Sequence, residues 1–294
     1  MATEQRVTQL SLALLLVAAT SVAASVAPSA PDFTLIAHRG ASWDAPEHTF
    51  AAWDRALADS ATWIEQDLVM TADGVLVVFH DDTLGRTARG PAALCTGRVA
   101  ERTLADLAQC EVGSWFNAEY PDRARSEYAL ERIRTLDEVL TRYRNRGRFY
   151  IETKRPEESP GMEEALIALL QRHRLAGPGA ERGRVTVQSF SAAGLARLRG
   201  IDPGLDLVRL LDDPIPRDSL GAVMQEIALY AKGIAPSRRI VTSAMVETAH
   251  AAGLYVHVYT VNEPAVLRWV RANNVDGVFT DRPALLRREL RLDP

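Results

Sequence analysis

Cysteine, lysine and long apolar runs are all scarce in this chain of 294 residues. Two cysteines, Cys95 and Cys110, are too few for a disulfide framework, and neither stands in the CxxC spacing of a zinc site. Only Lys154 and Lys232 are lysines, the other basic residues being arginine, and the formal net charge is −4. A mildly acidic chain lacks the basic footprint of a nucleic-acid binder, so no nucleic-acid partner is expected. No run of like charge marks a membrane-surface patch. No P-loop, serine elbow or HExxH spacing occurs, which leaves nucleotide hydrolysis, acyl hydrolysis and metallopeptidase chemistry without a motif. What remains is an ordinary globular composition, 47% hydrophobic and 24% charged, long enough to bury a large core without stapling.

The N-terminus separates from the rest. Leu10 to Ala19 is apolar and is followed by small residues to Ala30, with Val22-Ala23-Ala24 as a cleavage box. That is the layout of a secretory signal peptide, too short to span a bilayer. Its leading segment is weak, since Glu4 offsets Arg6. Residues 1–27 are therefore expected to be removed on export, leaving a periplasmic or secreted domain over 31–294. No second run reaches spanning length, so no stable membrane insertion is expected. In an exported chain Cys95 and Cys110 are expected to pair, the alternative being two buried thiols. The residue pattern sets no oligomeric state.

After the leader, short β-rich runs alternate with helical stretches. Strands are expected at Phe33–Ala37, Trp63–Asp67, Phe149–Glu152, Val185–Gln188, Leu207–Leu210, Tyr230–Ile234, Tyr255–Val258 and Gly277–Thr280, with helices such as Leu136–Tyr143 and Ala265–Ala272 between them. Eight such units predict an α/β fold, a closed (β/α)8 TIM barrel. The competing open doubly wound sheet lacks a Gly-rich dinucleotide loop after the first strand. Asp73-Gly74, between the β-rich run that begins with Trp63–Asp67 and Val75–Phe79, predicts a β-hairpin after the second strand. If those two residues form the loop, Ala72 faces Val75 and Asp67 faces His80. Residues 81 to about 134 then form a small inserted subdomain carrying both cysteines.

Active sites of such barrels lie at the strand C-terminal ends. Those ends read His38-Arg39-Gly40, Glu65-Gln66-Asp67 and Glu152-Thr153-Lys154. Charges at buried strand ends are costly unless paired or bound to a metal. Glu65 and Asp67, two apart on a strand, share one face, and with Glu152 they offer hard oxygen ligands suited to Mg²⁺ or Ca²⁺. The alternative is a strand end bridged to Arg or Lys. His38 and His80 flanking such a centre can serve as general acid and base. Arg39 and Lys154 supply cations for a phosphate. Together these groups describe metal-assisted phosphodiester hydrolysis. His173, His250 and His257 read as structural.

At these residues the chain resembles the glycerophosphodiester phosphodiesterase family. The matching stretches are Ala37-His38-Arg39-Gly40-Ala41, Pro46-Glu47-His48-Thr49, Ile64-Glu65-Gln66-Asp67-Leu68, Asp73-Gly74 through Val78-Phe79-His80-Asp81-Asp82-Thr83-Leu84-Gly85-Arg86-Thr87, Ile151-Glu152-Thr153-Lys154, Tyr259-Thr260-Val261-Asn262 and Asp276-Gly277-Val278-Phe279-Thr280-Asp281. The resemblance spans nearly the whole mature chain. It implies a barrel with a small insertion and hydrolysis of a small-molecule glycerophosphodiester to glycerol 3-phosphate and an alcohol. Carried over residue by residue, it implies His38 and His80 as the acid/base pair and Glu65, Asp67 and Glu152 as ligands of Mg²⁺ or Ca²⁺. Arg39 and Lys154 match the phosphate contacts. The family usually has Asn where this chain has His48, which puts metal or substrate contacts there in question. Trp43, Trp115 and Phe116 either wall the mouth or simply pack the insertion.

Two rival readings differ in class. A phospholipase on the same barrel would need an apolar rim for acyl chains, and no amphipathic membrane-binding stretch stands out. A binding protein that has lost catalysis would have no reason to keep all seven groups. A purely structural exported domain would have no reason to place acids and histidines at strand ends.

Overall fold

The computed structural model describes residues 33–292, so the expected signal peptide lies outside the described residues. The chain runs β1 (Thr34–Ala37), α1 (Phe50–Ala58), β2 (Trp63–Met70), β3 (Leu76–Val78), α2 (Leu104–Leu107), α3 (Ser114–Glu119), β4 (Arg134–Thr135), α4 (Leu136–Tyr143) and β5 (Arg148–Thr153). It continues with α5 (Met162–Arg172), β6 (Val185–Ser189), α6 (Ala192–Ile201), β7 (Asp206–Leu211), α7 (Leu220–Ala228) and β8 (Gly233–Pro236). Then come α8 (Ser243–Ala251), β9 (Tyr255–Val258), α9 (Pro264–Ala272), β10 (Gly277–Thr280) and α10 (Pro283–Leu292). Strands β1, β2 and β5 to β10 pair in parallel, and β1 joins both β10 and β2, which closes the barrel. No helix among the described residues is long and apolar enough to cross a membrane.

Each strand of a closed parallel barrel has two buried faces, which is why these segments read as nearly continuous apolar runs. One face meets the helices: Ile64, Leu68, Phe149, Ile151, Val185 and Val187 belong to the large layer that also takes Trp53, Leu140 and Leu166. The other fills the lumen with Ile36, Tyr150, Val208, Leu210, Ala235 and Phe279. Tyr150 and Phe279 meet edge-on at 4.9 Å, and the Tyr150 hydroxyl lies 3.0 Å from His257 Nδ1. His257 is thus a buried structural histidine. His173 and His250 bridge Asp137 and Asp276 at the surface.

Two local expectations are corrected. Tyr230 and Ala231 do not begin a strand, because their amides close the last turn of α7 onto the Ile227 carbonyl; β8 starts at Gly233. The hairpin loop holds three residues, Ala72-Asp73-Gly74, not two. Thr71 bonds Val75 through both its amide and its hydroxyl, and Gly74 takes φ +77°. A third loop residue in the left-handed region is the other common way to close a hairpin. The register therefore shifts by one: Leu68 faces Val78, and the Phe79 amide donates to the Asp67 carbonyl. Asp67 does not face His80 across the ladder.

The insertion leaves β3 and returns as β4, which pairs antiparallel with it. Its core is small. Val69, Val77, Phe79, Leu84, Val99, Leu107 and Ile133 gather around a Cys95–Cys110 disulfide, and a second cluster of Trp115, Phe116 and Tyr128 seats it on Ala45 and Ala52 of the barrel.

Candidate active site

The first corner is set by steric need. The chain leaves β1 through Arg39 at φ +57° and Gly40 at φ +86°. A Cβ on Gly40 would lie 2.7 Å from the Ala52 backbone, so only glycine lets this turn press against α1. The turn aims the Arg39 amide at Glu65 Oε2, 2.8 Å away, while the side chain reaches Glu47 Oε1 at 3.2 Å and Asp67 Oδ2 at 3.5 Å. His48 also sits in the left-handed region at φ +58°, a conformation in which Asn, Asp and His are enriched. Thr49 then caps α1 by accepting from the Ala52 amide.

Register does the rest. In the β2–β5 ladder Asp67 lies level with Glu152, and in the β5–β6 ladder Glu152 lies level with Gln188. Glu65, one inward step down the same face, takes a long 3.5 Å contact from Gln188 Nε2. At the other seam Ala37 pairs with Thr280, so the next residues, His38 and Asp281, arrive side by side. His38 Nδ1 lies 2.6 Å from Asp281 Oδ1, and Ser42 and Asn262 hold that carboxylate with two further hydrogen bonds.

His80 reaches the mouth by a different route from the expected one. Strand β3 ends at Val78, so the pleat no longer dictates which way residue 80 points. It lines one cleft with Glu152 and Lys154, and its Nδ1 lies 2.6 Å from Asp81 Oδ1. Arg86 in turn holds Asp81 through Nε at 2.5 Å.

The acids are buried and unequal. Burial and the charges of Asp67 and Glu152 push the Glu65 carboxyl well above its usual range. Burial and Asp67 likewise push Glu152 up to about 8. Burial also acts to raise Asp67, but Lys154, His48 and Arg39 outweigh it and hold that carboxyl well below the ordinary value. Lys154 Nζ stands 3.1 Å from Glu152 Oε1 and 3.9 Å from Asp67 Oδ1. Two cations thus do not neutralise three acids here. Burial, with Arg39 and Lys154 nearby, pulls the His80 imidazole down to about 4, which leaves it neutral at neutral pH.

One group of side chains among the described residues could hold a cation, and it takes in Glu65 and Asp67 with His48 rather than Glu152. Glu152 Oε1 is buried and faces the Lys154 ammonium at 3.1 Å. His48, Glu65 and Asp67 each present a ligand atom within 4.8 Å of the others. His48 Nε2 bonds Asp67 Oδ2 at 2.8 Å while its Nδ1 is buried without a partner.

Of the sequence-predicted groups, His38, Arg39, His80, Glu152 and Lys154 line two clefts, while Glu65 and Asp67 are buried beneath Arg39 and Lys154. One, of about 610 Å³, lies between His80, Glu152, Lys154, Arg155, Phe190 and Ser191. The other, of about 440 Å³, lies between His38, Arg39 and the insertion residues Arg86, Trp115, Tyr120 and Arg123. Phe116 is fully buried, so it packs the insertion. Sequence reasoning missed the partner of each histidine. Asp281 was visible as an acid one step past a barrel strand, and Asp81 as the neighbour of His80.

Buried acids, neighbouring cations and two backed imidazoles at the end of a parallel barrel fit one class of protein, a phosphoric diester hydrolase. Residues 38–285 match the model of the glycerophosphoryl diester phosphodiesterase family. The chain belongs to that family. A glycerophosphodiester phosphodiesterase of Bacillus subtilis is 41% identical over 279 residues, which are 94% of each protein. An Oleispira antarctica phosphodiesterase, solved in complex with the product sn-glycerol-3-phosphate, superposes with a TM-score of 0.73 at 26% identity, over 88% of this chain and 96% of that one. The Agrobacterium tumefaciens glycerophosphodiester phosphodiesterase structure gives 0.66 at 29% identity, over 86% and 98%.

Proposed function

We propose that the chain hydrolyses glycerophosphodiesters to glycerol 3-phosphate and an alcohol, using His38 and His80 as the acid/base pair and one divalent cation, Mg²⁺ or Ca²⁺. The observation that supports it is two imidazoles, each with a carboxylate at 2.6 Å, following strands of the sheet that also carries three buried acids. The bound product in the Oleispira structure supports the glycerol phosphate half of the reading.

Glu65, Asp67 and Glu152 would hold the cation, with His48 at the edge of the set. A hard divalent ion there would neutralise charge on the non-bridging phosphate oxygens. Arg39 and Lys154 bind the same phosphate from the protein side. An oxygen nucleophile attacks phosphorus as the P–O bond to the alcohol breaks: a water gives glycerol 3-phosphate directly, whereas the neighbouring glycerol hydroxyl gives a cyclic phosphate that a water then opens to glycerol 3-phosphate. The neutral His80 ring takes the nucleophile's proton through Nε2, since Asp81 engages its Nδ1. His38, oriented by Asp281, returns a proton to the departing alkoxide. In this assignment the glycerol half occupies the cleft of His80 and Glu152, and the alcohol leaves past His38.

The test is release of glycerol 3-phosphate from glycerophosphocholine by the purified chain, with Ca²⁺, Mg²⁺ and chelator compared. Turnover that chelator and His38→Ala both abolish fits the reading; no turnover with either ion refutes it. We also propose that the protein is exported. The formed Cys95–Cys110 pair supports an oxidising destination. Fractionation of the native cell should place the mature chain outside the cytoplasm, starting near residue 28.

A further inference from the structure

The cleft beside His38 carries more than packing. Trp43, 42% exposed, is sandwiched between two guanidinium groups, Arg123 at 4.4 Å and Arg282 at 4.3 Å from the ring centre. Arg123 also lies 4.1 Å over Tyr120, and Arg86 lies 5.9 Å over Trp115. Aromatic faces of this kind bind quaternary ammonium groups when they are free. Here arginines already cover them.

The acids of the cleft are already engaged, Glu47 by two of the cleft's own arginines. Glu47 accepts from Arg86 at 2.6 and 2.9 Å and from Arg39 at 3.2 Å. Asp281 serves His38, Ser42 and Asn262, and the exposed Glu119 accepts from the Tyr120 hydroxyl. Arg123 differs. Its Nη1 donates to the Trp43 carbonyl, but its Nε is buried with no hydrogen-bond partner among the described residues. Its acidic partner, Asp122, pairs with Nε at 3.7 Å and is 78% exposed, so that ion pair is weak.

We infer that this cleft receives the departing alcohol and that Arg123 selects alcohols carrying a second anionic group, phosphate or carboxylate, over those carrying an ammonium. The inference rests on the proposed hydrolysis and on the alcohol leaving past His38. A guanidinium already stacked on the rings of Trp43 and Tyr120 binds an anion at little further ordering cost. Glu47 and Asp281, already bonded, offer an ammonium group little in exchange.

The test is a set of kcat/KM values for glycerophosphoinositol 4-phosphate, glycerophosphoinositol and glycerophosphocholine, all read as glycerol 3-phosphate release. The wild-type protein should favour the first over the second by about tenfold, with the choline diester slowest. Arg123→Gln should bring the ratio of the first two close to one, and Arg123→Lys should keep most of it. The ratio is read within one preparation, so partial loss of folded protein cancels. Should Arg123→Gln be inactive altogether, the wild-type ratio decides through salt: it should shrink from about 0.01 M to about 1 M ionic strength, as the screening length falls from about 30 Å to about 3 Å. Equal wild-type rates, a preference for choline, a salt-independent ratio or a uniform loss in Arg123→Gln would overturn the inference. Failure to release glycerol 3-phosphate from any of the three would instead sink the hydrolase reading.

Discussion

The two walls of the mouth are held by different physics. On the barrel side, Asp67, Glu152 and Gln188 sit level because parallel ladders fix them, each strand packed on both faces. On the insertion side, Trp115, Tyr120 and Arg123 hang on small clusters, one disulfide and a stack of guanidinium groups on rings. The rigid wall carries the groups whose positions must be held to fractions of an ångström; the lighter wall carries those that meet the variable part of a substrate. Chemistry and selection should therefore fail separately.

The largest effect should come from the barrel side. His38→Ala and His80→Ala should each lower kcat by about 10²-fold or more while leaving the circular dichroism spectrum unchanged. A tenfold effect or less from either would break the assignment of roles. Next comes the insertion staple. Cys95→Ser with Cys110→Ser opens a loop of sequence separation 15, and denaturant unfolding should show a loss of about 3 kcal/mol. If the walls are as separate as argued, the surviving folded fraction keeps its kcat for glycerophosphocholine.

Gly40→Ala tests the corner where the walls meet. Its Cβ would press on the Ala52 backbone at 2.7 Å with φ at +86°, so a loss of about 2 kcal/mol is expected. Smallest is an effect of pH. Burial opposes ionisation of Glu47, but Arg86 and Arg39 prevail and hold its carboxyl down at about 2, against 4.5 for an unperturbed group. A depressed carboxyl stabilises fully above the unfolded value and loses that contribution as pH falls towards the folded one. Stability should thus drop by on the order of 1 kcal/mol as pH falls below 4.5, and Glu47→Gln should flatten that limb.

How much was legible in the sequence follows the same division. Buried parallel strands announce themselves as apolar runs, and an ionisable residue at the end of such a run stands out. His38, Glu65, Asp67 and Glu152 can be placed on or just past barrel strands from the sequence for that reason. The hairpin register was not, because Asp73-Gly74 suits a two-residue or a three-residue loop, and the choice rests on Thr71 bonding back to Val75. Asp281 was quoted as part of a motif, yet its place beside His38 depends on how β10 closes against β1, a contact between the chain's two ends. Tyr120 and Arg123 lie in an irregular surface segment with no period to read. Their role depends on Trp43, some eighty residues away.

The central claim is that Glu65, Asp67 and Glu152 are one cation site. Calorimetric titration of chelator-treated protein with Ca²⁺ and Mg²⁺ tests it without reference to turnover. One ion bound per chain in the wild type, with binding lost or greatly weakened in both Glu65→Gln and Glu152→Gln, is the predicted result. No binding of either ion, or binding that both variants leave untouched, would contradict it.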